Sequence, residues 1–260
     1  MKAFTVLFLA HCLGDYYFQP QCLAERKARG LGWVLMHSAV YAAVVALSCL
    51  MLGGGYIYAA AVCAVTHCII DVIKQIILNS SARHASLTVR ADRIAFCIDQ
   101  ALHIGIILIC SAVVSALGAI TIPAYMIKAG EVIGSAFEGD LYIMAGYIAA
   151  LLAVMKPANV FIKKMLATEK PASSEEVPAP VYRMGQKTGQ YIGSLERVLT
   201  VLLLALRQYG SIAIVFTAKS IARFRQLEDR GFAEYYLTGT LLSVVTACMV
   251  YGLLRVFGTI

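Results

Sequence analysis

Long apolar stretches separated by short polar segments run through the whole chain. About 20 consecutive apolar residues are enough to cross a bilayer as an α-helix. The pattern therefore predicts an all-α fold, a polytopic transmembrane helical bundle of about eight spans. The predicted spans are residues 3–18, 33–52, 56–78, 94–118, 141–155, 188–206, 209–222 and 236–257.

The composition supports a membrane protein. Of the 260 residues, 60% are hydrophobic and 14% are charged, whereas a soluble domain is nearer half apolar and about a quarter charged. The net charge of +7 is therefore interpreted through the loops and through acidic lipids. The sequence contains no nucleic-acid-binding motif, so we expect membrane lipids as partners and no nucleic acid.

The loops alternate between basic and weakly charged. Lys and Arg are concentrated after the first, third, fifth and seventh predicted spans, within residues 25–29, 83–93, 156–187 and 219–230. Cytoplasmic loops of membrane proteins carry an excess of these residues. We therefore expect the basic loops in the cytoplasm and the N-terminus outside.

A segment rich in Pro, Ser and Glu at residues 168–181 predicts a flexible linker. It would divide a five-span N-terminal unit, residues 1–167, from a three-span C-terminal unit, residues 182–260. Small residues at every fourth position let helices approach closely, and Gly185, Gly189 and Gly193 have this spacing. The sequence leaves open whether these glycines pack within one subunit or between two, and therefore whether the protein forms a homo-oligomer.

Ionisable residues at helical spacing interrupt the first four spans. His67 and Asp71 share one face of a helix, and Asp99 and His103 share a face of the next, because residues i and i+4 lie on the same side. Such groups are costly at membrane depth and usually have a function. The expected topology brings seven of them to a similar depth, roughly 5–17 Å from the cytoplasmic boundary. The seven are His11, Asp15, His37, His67, Asp71, Asp99 and His103.

These residue types favour a metal site. Imidazole nitrogens and carboxylate oxygens are ligands for zinc, manganese and iron(II), and a bound divalent ion generates a nucleophile from water. A carboxylate outside the ligand set could act as a general base, and we assign the catalytic role to Asp15 and Asp99. Two alternatives stay open: a metal-free substrate or proton site, and hydrogen bonds that only hold the helices together.

Charged residues near this cluster are candidates for substrate binding. Lys74 and Arg93 either anchor their helices at the cytoplasmic surface or hold an anionic headgroup or phosphate. In the C-terminal unit, a second set forms either an intramembrane ion-pair network or another wall of the same pocket facing an anionic substrate. That set is Glu196, Arg197, Lys219 and Arg223.

Several of these motifs occur together in a known family. They are HxxGDxxxQ from His11, HxxIDxxK from His67, DQxxH from Asp99 and GxLER from Gly193. With them the chain resembles an uncharacterised bacterial family of polytopic inner-membrane proteins, a domain of unknown function. The resemblance implies a bacterial inner-membrane location and supplies no activity.

Two weaker similarities supply function classes. Intramembrane His and Asp are similar to the ligands of membrane-bound metal-dependent hydrolases, and His-x3-Asp is similar to the spacing in cation diffusion facilitators. The first hypothesis is a metal-dependent hydrolase or transferase acting on a lipid or lipid-linked substrate. The second is a transporter of a metal cation, protons or a small anion, and the third is a structural membrane subunit.

Overall fold

The computed structural model describes residues 2–19, 30–53, 56–83, 89–118, 122–137, 140–167 and 179–260. These residues are almost entirely helical and contain no strand, which confirms the all-α prediction. The predicted basic loop at residues 25–29 and residues 168–178 of the predicted linker lie outside the described part of the chain.

Nine α-helices follow one another in the described residues. A π-helical turn, Leu13–Tyr17, extends the first helix, and a 3₁₀ turn, Phe224–Glu228, precedes the last. The helices are α1 Lys2–Cys12, α2 Leu31–Leu52, α3 Ile57–Arg83, α4 Val89–Ala116, α5 Ala124–Phe137, α6 Leu141–Met165, α7 Ala179–Ala205, α8 Tyr209–Ala222 and α9 Arg230–Phe257.

Five of the described helices are long and apolar enough to cross a membrane. Their apolar segments are Leu31–Ser48, Ile57–Ile77, Val89–Ala116, Leu141–Met165 and Arg230–Phe257, with mean hydropathies of 1.6 to 2.0. Of the other predicted spans, 3–18 corresponds to α1 and the π turn, 188–206 coincides with the C-terminal part of α7 and one further residue, and 209–222 is the short apolar helix α8. The count of eight spans and the outward N-terminus stay predictions.

Helix α3 shows why its surroundings must be apolar. Its exposed face is a stripe of large apolar side chains, while His67, Asp71 and Gln75 are buried on the opposite face. A helix exposed to water has the reverse arrangement. The same inversion occurs in α4, where Asp99 and His103 are buried. The exposed stripe of α3 comprises Tyr58, Val62, Val65, Ile69, Ile73 and Ile76.

Helix α1 packs between α2 and α4. It contacts α2 and α4, while α3 contacts both α2 and α4, so the four helices form a closed ring. Most of the side chains of α1 are buried, as expected for a helix that is apolar on all sides. The polar groups that the four helices carry on their inner faces therefore face one another.

The chain divides into two compact units. The first comprises Met1–Ala149 with Leu254–Ile260, and the second comprises Ala150–Leu253. In the first unit the C-terminal segment crosses close to the start of α6, where the Thr259 hydroxyl donates to the carbonyl of Tyr142 at 2.6 Å. The division into residues 1–167 and 182–260 stays a prediction.

Candidate metal centre

The π turn at the end of α1 holds the first acidic residue of the cluster. The amide of Phe18 donates to the carbonyl of Leu13 at 2.8 Å, one residue further along the chain than in an α-helix. Single π turns occur frequently at functional sites. A β-carbon added to Gly14 would lie 2.9 Å from Cδ2 of Tyr41, so the absent side chain lets α2 approach the turn. Asp15, the next residue, is buried there.

Two carboxylates and two imidazoles form one half of the cluster. Oδ1 of Asp15 lies 3.2 Å from Nε2 of His37 and 3.6 Å from Nε2 of His67. Oδ2 of Asp71 lies 3.6 Å from the same His37 nitrogen and 3.9 Å from Nδ1 of His67. The π turn, α2 and α3 therefore direct two carboxylates and two imidazoles at a common point.

Helix α4 contributes the other half. The ring of His103 stacks on that of His67 with centroids 4.4 Å apart. Donor atoms of Asp71, Asp99 and His103 lie within 4.8 Å of one another. Donor atoms of His11, Asp15 and His103 do so as well. The structure thus brings all seven predicted ligands together, although their roles stay predictions.

The imidazoles are buried without the hydrogen bonds that such groups normally make. His67 is 1% exposed and His103 is 3% exposed. Neither ring nitrogen of either residue has a hydrogen-bond partner among the described residues. Buried polar atoms usually have partners, and a metal ion is a natural one for a neutral imidazole nitrogen. The residues present therefore fit a divalent cation.

A hydrogen-bonded network surrounds the two proposed catalytic acids. The ammonium of Lys74 lies 2.8 Å from Oδ2 of Asp99. The amide of Gln100 donates to the same oxygen at 3.1 Å and to Oδ2 of Asp15 at 3.4 Å. The hydroxyl of Tyr16 donates to Oε1 of Gln100 at 2.7 Å. This network fixes one oxygen of each carboxylate.

Sequence reasoning did not assign a site role to Tyr16, Tyr41 or Gln100. The ring of Tyr41 stacks on His67 with centroids 3.7 Å apart, and its hydroxyl lies 3.3 Å from Nδ1 of His11. Their positions in the sequence could have indicated a site role. Tyr16 and Gln100 adjoin Asp15 and Asp99, and Tyr41 follows His37 by one helical turn. Mutation of a partner that orients a metal ligand typically costs about 10–100-fold in metal affinity or activity.

Residues 3–128 match the sequence model of a family described as "Protein of unknown function (DUF3307)". This match confirms the predicted resemblance to an uncharacterised family, and the matched range contains all seven candidate ligands of the cluster. No curated protein and no solved structure matches the chain.

Arg93, the remaining predicted substrate residue within residues 3–128, is half-buried on α4. It precedes Asp99 by six residues, or about 9 Å along the helix axis. It therefore lies toward the N-terminal end of α4 from the cluster, and its role in substrate binding stays a prediction.

In the second compact unit, Arg197 is buried and surrounded by acceptors. Its guanidinium donates to the carbonyl of Val154 at 2.6 Å, to the hydroxyl of Ser243 at 3.1 Å, and to the side chains of Asn159 and Ser194. These groups belong to α6, α7 and α9. The contacts favour a structural role for Arg197, and its role in substrate binding stays a prediction.

Glu196 contacts a different residue and forms an ion pair with Lys219. The ammonium of Lys219 lies 2.6 Å from Oε2 of Glu196. Lys219 and Arg223 also lie 5.2 and 5.7 Å from the ring centroid of Tyr236, close enough for cation–π attraction. Two cations, one carboxylate and an aromatic ring thus form a polar cluster within this unit. The substrate roles of Glu196, Lys219 and Arg223 stay predictions.

Proposed function

We propose that the protein is a metal-dependent hydrolase or transferase of the bacterial inner membrane, acting on a lipid or lipid-linked substrate. Its ligands come from the seven clustered residues, and the ion is zinc, manganese or iron(II). In the proposed topology the chain crosses the membrane eight times with its N-terminus outside, so the cluster lies in the cytoplasmic half of the bilayer.

The single observation that carries this proposal is the set of unsatisfied ring nitrogens on His67 and His103. A purely structural cluster should satisfy its buried polar atoms internally, because each unsatisfied group costs roughly 1–3 kcal/mol. The two nitrogens of His103 carry most of this cost without a compensating ligand, because those of His67 lie 3.6 and 3.9 Å from carboxylate oxygens of Asp15 and Asp71. Carboxylates nearby supply the charge that a divalent cation requires.

The surroundings of the cluster support catalysis rather than storage of an ion. When bound, a divalent ion supplies Lewis acidity and an activated water. Lys74 and Gln100 hold one oxygen of Asp99, while Oδ1 of Asp99 has no hydrogen-bond partner among the described residues. That oxygen is open either to a proton from water, the role of a general base, or to a bound ion. Asp15 is held similarly through Gln100.

The exposed surface around the cluster supports a lipid or lipid-linked substrate. The outer faces of α3 and α4 carry contiguous apolar side chains, so a substrate that reaches the site from the side must have an apolar part. The cation of Lys74, which is 28% exposed at its side chain, provides a partner for an anionic headgroup.

A proton-conducting function is the second candidate, favoured by the imidazoles themselves. Their rings form a series, with centroid separations of 5.4 Å from His37 to His67, 4.4 Å from His67 to His103 and 5.4 Å from His103 to His11. Chains of His and carboxylates relay protons in membrane pumps and transporters. This function would need no metal.

Metal content distinguishes the two candidates. We expect purified full-length protein to retain a divalent metal, detected by elemental analysis, and the His67→Ala variant to lose most of it. Thr66→Ala, which changes the adjacent and partly exposed residue of α3, should retain the wild-type amount. Equal, near-zero metal in all three proteins would contradict the proposal and favour the proton relay.

Activity is tested on the lipids directly. We expect metal-loaded protein incubated with a total bacterial lipid extract to release headgroup-cleaved or headgroup-exchanged species, detected by mass spectrometry. Asp99→Asn should abolish them, since it removes the proposed base while preserving the size of the side chain. Identical lipid profiles with wild-type protein, Asp99→Asn and no protein would contradict a hydrolase or transferase acting on these lipids.

A further inference from the structure

The seven candidate ligands include two sets of three that share no member. In the first triad, donor atoms of Asp15, His37 and His67 lie within 4.8 Å of one another. In the second triad, the same holds for Asp71, Asp99 and His103. The first triad comes from the π turn, α2 and α3, and the second from α3 and α4.

This number of donors exceeds the requirement of one ion. A catalytic zinc ion typically takes three protein ligands and keeps a fourth position for water or substrate. One ion at the first triad would leave both ring nitrogens of His103 and Oδ1 of Asp99 buried without hydrogen-bond partners, as they are among the described residues. A second ion at the second triad would satisfy one nitrogen and that oxygen.

The two triads adjoin each other. Oδ2 of Asp71, in the second triad, lies 3.6 Å from Nε2 of His37 in the first. The rings of His67 and His103, one from each triad, are stacked. Adjoining ligand sets are the arrangement of two-metal enzymes, in which neighbouring ions act on one substrate.

His11 provides a third set, together with Asp15 and His103. This set takes one residue from each triad, so it competes with both of them for ligands. Nε2 of His11 has no hydrogen-bond partner among the described residues, while its Nδ1 lies beside the hydroxyl of Tyr41. A single ion held by this third set is the alternative to two ions.

From this division we infer that the protein binds two divalent cations, one at Asp15, His37 and His67 and the other at Asp71, Asp99 and His103. The inference rests on the proposed metal-dependent function and specifies its centre. It assigns His37 and His103 to different ions, which makes the two ions separable by mutation.

The test is the number of zinc ions that full-length protein binds in detergent, measured by equilibrium dialysis against zinc and elemental analysis. We expect two ions per chain in the wild type, and one in each of His37→Ala and His103→Ala. Asp140→Asn is the matched control, because this carboxylate is exposed at the start of α6 and lies 3.8 Å from Lys2. It should retain two ions.

The outcomes separate this inference from the proposed function. One ion per chain in the wild type, lost in both histidine variants, would overturn the two-ion centre and leave a one-ion enzyme. Two ions in the wild type and in both variants would place the ions elsewhere and overturn the assignment. No bound zinc in the wild type would overturn the metal-dependent function itself.

A measurement on the wild type removes the dependence on variants that fail to fold. Protein loaded with manganese(II) should give the electron paramagnetic resonance spectrum of an exchange-coupled pair, because the two triads adjoin. A spectrum of isolated manganese ions only, at full loading, would contradict the neighbouring sites even if no variant can be purified.

Discussion

Replacement of Gly14 by alanine tests whether the close approach of α2 to the π turn maintains the cluster. The added β-carbon would lie 2.9 Å from Cδ2 of Tyr41 and 3.4 Å from its Cα, so the ring or the backbone must shift. The ring has little space to move, because Tyr41 is 2% exposed and stacks on His67 at 3.7 Å.

Two effects of opposite sign determine the magnitude. Overpacking a buried site costs typically about 1–3 kcal/mol, while replacing a helical glycine by alanine gains about 1 kcal/mol through backbone entropy. Gly105→Ala in α4 isolates the second effect, since nothing lies within 4 Å of its added β-carbon. We therefore expect Gly14→Ala to be less stable than Gly105→Ala by about 1–3 kcal/mol.

The displacement should also reach the metal ligands. Loss of an orienting partner costs about 10–100-fold in metal affinity, and a shifted Tyr41 would disturb both its stacking on His67 and its contact with His11. The assays are equilibrium unfolding in detergent and competitive zinc titration against a chelator. Equal stability and equal zinc affinity of Gly14→Ala and Gly105→Ala would refute the steric argument.

A double-mutant cycle identifies Tyr41 as the group that is displaced. In a Tyr41→Ala background the clashing ring is absent, so Gly14→Ala should add little further destabilisation. Contacting residues show coupling energies of about 0.5–3 kcal/mol, whereas independent sites are additive. Additive effects of the two substitutions would locate the cost of Gly14→Ala elsewhere.

Two further predictions concern the second unit and the topology. Arg197→Met should destabilise the protein by about 2–3 kcal/mol, because it removes the donor for several buried acceptors, while the metal content stays unchanged; Arg230→Met, whose native side chain is 93% exposed, should change stability by less than about 0.5 kcal/mol. Loss of metal in Arg197→Met at unchanged stability would instead assign that residue to the centre. With eight spans and the N-terminus outside, a reporter fused after Ile260 should also lie outside; cytoplasmic fluorescence of the fused reporter would require an odd number of spans or a cytoplasmic N-terminus.

The hydrophobic pattern was sufficient to predict the helices that form the cluster. In α3 and α4 the apolar stripe and the polar residues recur with the period of a helix. The polar face carries too few charged residues to be a face exposed to water. The i, i+4 pairs His67–Asp71 and Asp99–His103 therefore fixed which side chains share a face. The polar residues of the first four spans were expected at a similar depth in the membrane. This shared depth predicted that the polar faces of these helices would contact one another.

Other features have no periodic signature in the sequence. The π turn adds one residue to a single helical turn, which is too short to change an apolar pattern. Helix α5, Ala124–Phe137, is only 14 residues long and carries Lys128 and Glu131, so a search for spans passes over it. The pairing of Lys74 with Asp99 depends on the rotation of α3 against α4, which residue spacing within either helix does not determine.

The adjacent residues Glu196 and Arg197 show the same limit. Consecutive residues in a helix point about 100° apart, so one charged dipeptide serves two different environments. Glu196 contacts Lys219, whereas Arg197 is directed into neutral acceptors from α6 and α9. The sequence left two interpretations open here, an ion-pair network and a pocket wall, and the tertiary packing gives the two residues different partners.

X-ray absorption spectroscopy of the zinc-loaded, full-length protein tests the central claim most directly, because it reports the atoms bound to the ion. The His and Asp cluster predicts a first shell of nitrogen and oxygen only, at about 2.0–2.2 Å, with the outer-shell scattering typical of imidazole. His67→Ala should reduce that imidazole scattering. A sulfur shell at about 2.3 Å, or a first shell without imidazole, would place the ion away from this cluster and contradict the account.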